Sequence, residues 1–332
     1  MRNIKILELF GGIGALTEAF KNTGVCFEVV DYVEIDKYAV ASYNAINGTK
    51  FEAQDICKWD KDVEVDLIMH GSPCQDFSLV GKQAGADEGS GTRSSLMYET
   101  IRIVSKLRPK YVIWENVKNV ASKKHIHNFT GYLDKMSELG YTSYATVLNA
   151  KDYGVAQHRE RVFVVSMLDD DDDGFEFPKC LDRHVTMRDV LESDVDDKYY
   201  LSDKMIRYIS AIGTCGFKNA DCKINLDVAR PLTTCPNKRA GTTNYISDDL
   251  PSGYDLSSLE VDYRLGYDSI RIRRLTPREY WRLMGFSDDS FNKAREVCSD
   301  TRLYQQAGNS IVVPILEGII NNLLKIDKKD LR

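Results

Sequence analysis

The apolar run Ile4-Lys5-Ile6-Leu7-Glu8-Leu9-Phe10 passes directly into Gly11-Gly12-Ile13-Gly14 and then into the helical pattern Ala15 to Phe20. This is the feature that most constrains the fold. A short apolar run closed by turn residues reads as a buried strand. Glycines between a strand and a helix let a ligand approach the backbone closely and leave helix N–H groups free. About two dozen residues on, Val29 to Glu34 reads as a second strand ending in an acid, the spacing of a carboxylate that accepts hydrogen bonds from two ribose hydroxyls. Asp55 closes the next short strand region before Ile56. A glycine turn alone is a weak signal, shared by many nucleotide folds and sometimes only a tight turn. The sequence lacks Gly-x-x-x-x-Gly-Lys-Ser/Thr, which argues against a phosphate-clamping NTPase site.

Further along, Asp66-Leu67-Ile68-Met69 predicts another buried strand, followed by Gly71-Ser72-Pro73-Cys74-Gln75-Asp76-Phe77-Ser78. A Gly-Ser-Pro turn after a strand throws the next side chain, Cys74, out at the carboxyl end of a sheet, where open α/β folds place ligands. The polar, glycine-dotted segment Gln75 to Gly91 predicts a loop able to close over that side chain. Taken alone, Cys74 is equally readable as a buried structural cysteine. A helix is expected from about Ser94 to Leu107, then a strand Tyr111 to Val117 carrying Glu115 near its end. Parallel strands deliver their carboxyl ends to one rim, so Glu115 should face Cys74 across a cleft. A helix cap or a surface ion pair is the alternative for Glu115. A helix (Phe129 to Leu139) and strand (Thr142 to Leu148) follow, then Gln157-His158-Arg159-Glu160-Arg161 entering a strand Val162 to Val165. Arginines at alternate strand positions point the same way, so both could reach one anionic or carbonyl-rich group.

From about Phe175 to Tyr267 the strand–helix alternation fades and Gly, Asn, Thr, Asp and Cys become dense, with loops expected at Gly213 to Lys223 and Cys235 to Tyr245. This predicts a smaller domain of irregular β structure. Regular patterning returns with a helix capped by Thr276, with Pro277 at its first position and Gly285 at its end. Gln306 to Ser310 then precedes an apolar helix from Val312 to Leu324. The net charge of −6 speaks against a polyanion partner on its face. Much of the acid, however, sits in Asp169 to Asp173 and around Asp194, Asp196 and Asp197, whereas Arg271, Arg273, Arg274, Arg278 and Arg282 gather base elsewhere. Local charge decides where a polyanion lies. The eight cysteines are scattered without paired CxxC spacing, which argues against a structural zinc site and a secreted disulfide framework. No signal-peptide pattern or membrane-length apolar run is visible, so a reducing cytoplasm is expected.

In this order and spacing, Phe10 to Gly14, Gly71 to Gln75, Glu115-Asn116-Val117, Gln157 to Arg161, Arg230-Pro231-Leu232-Thr233 and Gly308-Asn309-Ser310 resemble the DNA (cytosine-5) methyltransferase family of the bacterial and phage single-chain type. The resemblance spans nearly the whole chain, except Phe175 to about Ala229 and Asn237 to Tyr267. It implies an α/β, doubly wound (Rossmann-like) S-adenosylmethionine-dependent methyltransferase fold with a small, irregular, β-rich target-recognition domain. The expected boundaries are a catalytic domain at 1–174, target recognition at 175–267, and a C-terminal part, 268–332, returning to the catalytic domain.

The resemblance assigns Cys74 as the nucleophile that adds to cytosine C6, so that C5 can take the methyl group. Glu115 would bond N3, and Arg161 and Arg159 would hold the base carbonyl and adjacent backbone and support Glu115. It assigns S-adenosylmethionine, with S-adenosylhomocysteine as product, to Phe10, Gly11, Gly12, Ile13, Gly14, Glu34, Ile35, Asp55, Ile56, Pro73, Leu96, Asn309, Ser310 and Val312. No metal is expected. Because a target carbon inside a duplex is unreachable, the cytosine must be flipped out. Ser72 through its backbone carbonyl, Ser78, Val80, Lys82, Gln83, Arg93 and Thr233 are the candidate contacts to double-stranded DNA. Ser72 stands where many members carry Phe or another Pro, and the loop before Arg93 is slightly long. A monomer in a bacterial or phage-encoded cytoplasmic setting is expected, with a cognate restriction endonuclease, if there is one, on a separate chain. Three readings compete: a transfer-RNA cytosine-5 methyltransferase of the same family, an inert S-adenosylmethionine- or DNA-binding regulator, and a nucleotide-dependent oxidoreductase, in which Pro73-Cys74-Gln75 has no role.

Overall fold

A computed structural model describes residues 3–73, 96–168, 174–210, 223–236, 243–256 and 270–330, with side chains to residue 324. Cys74, Ser78, Val80, Lys82, Gln83 and Arg93 lie outside the described residues, as does the expected loop Gln75 to Gly91. The described chain divides into two compact units, one of residues 1–149, 160–181 and 311–332, the other of 150–159 and 182–310.

In the first unit, strand β1 (Ile4–Leu9) leads to helix α1 (Ala15–Thr23), β2 (Phe27–Val33), α2 (Lys37–Asn47), β3 (Leu67–His70), α3 (Met97–Leu107), β4 (Tyr111–Val117), α4 (Ile126–Glu138), β5 (Tyr141–Asn149) and β6 (Glu160–Leu168). The six strands form one sheet in the order β2-β1-β3-β4-β6-β5. β1 to β4 run parallel, and β6 is antiparallel to both its neighbours. The chain leaves β1 for β2 on one side and returns to β3 on the other. That reversal makes the carboxyl ends of β1 and β3 a topological switch point, where open α/β sheets bind ligands.

The register matters more than the order. Leu9 pairs with Val33 and with His70, and His70 pairs with Trp114. The next residue of each strand, Phe10, Glu34, Gly71 and Glu115, therefore falls in one row along a single rim. The central strands β1, β3 and β4 are buried along most of their length, as parallel strands with both faces covered require. Leu7, Leu9, Ile68, Ile103, Val112, Trp114, Tyr132 and Val164 belong to one buried apolar cluster, with Phe10 and Leu96 packed against it. Aromatic burial dominates there: Trp114 lies 4.2 Å from Tyr132 between ring centroids, and both are fully buried.

In the second unit, α5 (Asp203–Ser210), the two-residue strands β7 (Tyr245–Ile246) and β8 (Arg273–Arg274), α6 (Pro277–Arg282), α7 (Asp288–Val297) and α8 (Asp300–Asn309) are joined by irregular chain. A small core of Ile206, Ile209, Ile224, Tyr245, Leu256 and Ile272 holds α5 against β7 and β8. Thr276 and Glu279 close a reciprocal capping box at α6, with Pro277 at its first position. The Glu279 carboxylate also receives both terminal nitrogens of Arg273 at 2.9 Å and the Glu192 N–H at 2.9 Å. Every lone pair of this buried acid thus has a donor, the condition under which a buried ion pair is tolerated. Residues 270–310 belong to this unit and 311–330 to the first. There the last helix, α9 (Val313–Asp330), packs on α1. No single described helix is long and apolar enough to cross a membrane.

Candidate active site

The site is built on the rim of the first unit. Phe10 and Gly12 both take the left-handed backbone at φ 53°, and Gly14 does so at φ 83° as the cap of α1. The turn is seated on a stacked tyrosine pair, Tyr32 and Tyr43, whose centroids lie 3.9 Å apart. The Tyr32 hydroxyl donates to the Gly12 carbonyl at 2.5 Å. A Cβ on Gly11 would come within 2.6 Å of the Tyr32 ring, and one on Gly14 within 2.7 Å of the Tyr43 ring. Glycine is therefore required at both places by close approach, and at Gly14 by backbone conformation as well.

Glu34 follows β2 and accepts the Gly12 N–H at 3.1 Å on one oxygen and the Asp36 N–H at 2.8 Å on the other. Burial raises its carboxyl above the ordinary value, while those two N–H donors hold it down. Beside it Ile35 is 70% exposed, an apolar side chain standing in solvent where a flat hydrophobic ring could rest. Asp55, expected at a strand end, instead caps the 3-10 turn Ile56–Lys58 by accepting the Cys57 N–H at 3.0 Å. That turn is fixed by a group the sequence reading did not single out, Asp31. Its carboxylate accepts the Trp59 indole N–H at 2.7 Å and the Gln54 amide at 3.2 Å, and pairs with Lys61 at 2.7 Å. Arg102 ties the same turn to α3 through the carbonyls of Ile56 and Trp59. A left-handed glycine turn, an anchored carboxylate, an exposed aliphatic surface and a pinned acidic turn form a cradle suited to a nucleoside carrying an amino-acid tail.

Further along the rim, Glu115 is 8% exposed and its Oε1 meets Arg161 Nε at 3.0 Å. Its other oxygen lies 3.8 Å from the position a Gly71 Cβ would take, so the carboxylate faces the turn that leads to Cys74. Ser72, 4% exposed, accepts the Trp114 indole and the Asn116 amide. Pro73 is half-buried, and Leu96 caps the start of α3.

Arg159 and Arg161 have different described partners. β6 begins at Glu160, so Arg159 lies before the strand and outside its side-chain alternation. Arg161 goes to Glu115, whereas Arg159, in the second unit, donates to the carbonyls of Leu232, Gly308 and Ser310. Gln157, fully buried, likewise joins backbone to backbone: it donates to the Leu283 carbonyl at 2.7 Å and accepts the Leu232 N–H at 3.0 Å. Gly308 permits the tightest approach in this region, because a Cβ there would lie 2.6 Å from the Thr233 backbone. The Thr233 hydroxyl donates to the Cys235 carbonyl at 3.0 Å. Asn309 ends α8, Ser310 caps it, and Val312 is buried. Among the described residues no group of three or more His, Cys, Asp or Glu side chains is placed to hold a metal ion.

Residues 4–325 match the family described as C-5 cytosine-specific DNA methylase. The chain belongs to that family. Its reaction is methylation of cytosine at C5 in DNA. The methylase is 38% identical over 263 residues to the type II methyltransferase M2.ScrFI of Lactococcus lactis subsp. cremoris, covering 79% of this chain and 67% of that one. It is 31% identical to the type II methyltransferase M.NlaX of Neisseria lactamica, with 96% of each chain covered. Among solved structures, the Entamoeba histolytica methyltransferase EhMeth superposes with a TM-score of 0.78 over the full length of both chains at 17% identity, a likeness of fold.

Proposed function

We propose that the chain transfers a methyl group from S-adenosylmethionine to C5 of a cytosine flipped out of double-stranded DNA, at a specific sequence, with Cys74 as nucleophile. The observation that carries this reading is the Glu115–Arg161 pair facing the Gly71–Pro73 turn, level with the Glu34–Gly12 cradle. The cradle fits the cofactor: Glu34 for the ribose hydroxyls, Ile35, Asp55 and Ile56 for the adenine, and Phe10 to Gly14 with Pro73 and Leu96 around the methionine portion. Asn309, Ser310 and Val312 are assigned to the same cofactor by motif. When bound, S-adenosylmethionine supplies an electrophilic methyl group on a sulfonium.

The chain's own residues make the other partner reactive. The Cys74 thiolate adds to C6 and pushes electrons toward N3, where Glu115 supplies a proton. Arg161 holds Glu115 at the ring and offers positive charge to the carbonyl side. After C5 is methylated it gives up its proton to water, Cys74 leaves as thiolate while the C5–C6 double bond reforms, and N3 returns its proton to Glu115. Sulfur suits both halves because it adds readily and departs readily. Residues 175–267 are the proposed sequence-reading segment, and Ser78, Val80, Lys82, Gln83, Arg93 and Thr233 the proposed DNA contacts. By analogy with type II relatives, a restriction endonuclease on a separate chain and a bacterial or phage cytoplasmic setting complete the proposal.

The test is covalent capture. A duplex copied with 5-fluorocytosine, incubated with enzyme and methyl donor, is expected to yield an adduct that mass spectrometry places on Cys74. Cys74→Ala and Cys74→Ser should form none and should methylate nothing. An adduct on another residue, or turnover by either variant, overturns the assignment.

A further inference from the structure

Within Gly71–Pro73, Ser72 alone is buried, with its hydroxyl turned into the fold, where two donors from one strand converge on it. Trp114 Nε1 donates to Ser72 Oγ at 3.1 Å, and Asn116 Nδ2 reaches the same oxygen at 3.3 Å and the Ser72 carbonyl at 3.2 Å. The orientation of the Asn116 amide is settled by its other end, since its Oδ1 accepts the Val117 N–H at 2.8 Å. Trp114 in turn is wedged against Tyr132 and lies nearly parallel to the His70 imidazole, at an interplanar angle of 2°. Trp114 and Asn116 alternate along β4, so they share a face, and Glu115 between them points to the other. The residues on either side of the acid in β4 thus grip the turn after β3 through the Ser72 hydroxyl and carbonyl, while the acid is left to face the site.

We propose that the Ser72 hydroxyl is a positioning group for methyl transfer, holding the Gly71–Pro73 turn in fixed register with Glu115. The proposal rests on the reading of Cys74 and Glu115 as the groups that act on the cytosine ring, because Cys74 is the next residue after Pro73. Without the hydroxyl, the Trp114 indole loses its acceptor and the Asn116 amide keeps only the Ser72 carbonyl, so the turn is left with one of its three bonds to β4. Covalent attack tolerates little displacement, and an error of about 1 Å can cost about a hundredfold in rate. Phe or Pro at this position would offer no such acceptor.

The experiment uses full-length protein, unmethylated genomic DNA and tritiated S-adenosylmethionine, with the rate of adduct formation on 5-fluorocytosine duplex as a second readout. Ser72→Ala is expected to lower kcat by ~10- to 100-fold while KM for the methyl donor stays within about twofold. Adduct formation should slow by the same factor, and Ser72→Thr, which keeps the hydroxyl, should recover most of the loss. Wild-type kcat in Ser72→Ala, a loss confined to KM, or a Thr variant as slow as the Ala variant would each overturn the proposal. If Ser72→Ala does not fold, Trp114→Phe decides, since it deletes one donor and keeps an aromatic ring. A lower kcat at an unchanged melting temperature supports the proposal, and wild-type kcat sinks it. Cys74→Ser assayed in parallel separates the two levels: turnover there defeats the underlying reading whatever Ser72 does.

Discussion

At the scale of single residues, the least expected group is Glu8, buried under the glycine turn. Its carboxylate takes the hydroxyls of Thr17 and, at 3.2 Å, Tyr43, and burial pushes its pKa up to about 7 despite those bonds. An acid whose folded pKa is raised keeps its proton in the folded state while the unfolded chain releases it. Its contribution to stability is therefore complete below pH 4.5 and is lost as pH rises to about 7. The full effect is on the order of 3 kcal/mol. His70 runs the other way. Burial drops its pKa to about 3, so the folded state refuses a proton that the unfolded chain binds up to pH 6.5, and stability rises over that span. The two slopes oppose each other in the wild type. Glu8→Gln is expected to remove the falling one, leaving a stability curve that climbs between pH 4.5 and 6.5, as followed by urea denaturation at half-unit steps. An unchanged pH profile would show that Glu8 does not titrate there. Glu8 reads in sequence as an inward or outward strand position; only its neighbours reveal that it is buried among hydroxyls.

At the scale of elements, the second unit is held by side chains that bond to backbone. Gln157 and Arg159 belong to a motif that sequence resemblance assigns to the reaction, yet their polar groups hold the chain at Leu232, Leu283, Gly308 and Ser310. Gly308 is the tightest joint. Gly308→Ala would drive a methyl group into the Thr233 backbone at 2.6 Å, and backbone on both sides cannot yield as a side-chain tip would. Overpacking of this kind is expected to cost about 3 kcal/mol or more, visible as a lower melting temperature of the whole chain. The cost should appear even without DNA or cofactor, which distinguishes a packing role from a binding one. Element type was legible here: the helix opening at Thr276-Pro277 follows from capping chemistry, whereas its last residue is Arg282, with Leu283 rather than Gly285 as its C-cap. The closeness of Gly308 to Thr233 was not, because 75 residues separate them in sequence and nothing local signals the meeting.

At the scale of the whole molecule, the chain closes on itself. α9 is made after the entire second unit and returns to cover α1, where Asn22 donates to Glu317 at 2.6 Å. Its residues Val313, Ile315, Leu316, Ile319, Ile320 and Leu323 are all buried. At roughly 1.5–3 kcal/mol each, their loss would consume about 9–18 kcal/mol, as much as the whole stability of an ordinary domain. A chain stopped after Ser310 is therefore expected to give no cooperative thermal transition and to bind a hydrophobic dye, even though every catalytic candidate remains. A sharp calorimetric transition in that truncated chain would refute this. Such a result would also locate the fold's stability entirely upstream of α9.

What the sequence determined by itself was local: strands from apolar runs, turns from glycine and proline, a helix start from Thr276, and a series of motifs whose order marks the family. Those signals act through neighbours in the chain, so they survive without coordinates. Tertiary structure alone decided which residues share the rim, because Leu9, Val33, His70 and Trp114 align through strand register and register depends on pairing between distant segments. Pairing of β6 with β4 brings Arg161 to Glu115, and pairing of β3 with β4 turns the Ser72 hydroxyl inward between Trp114 and Asn116.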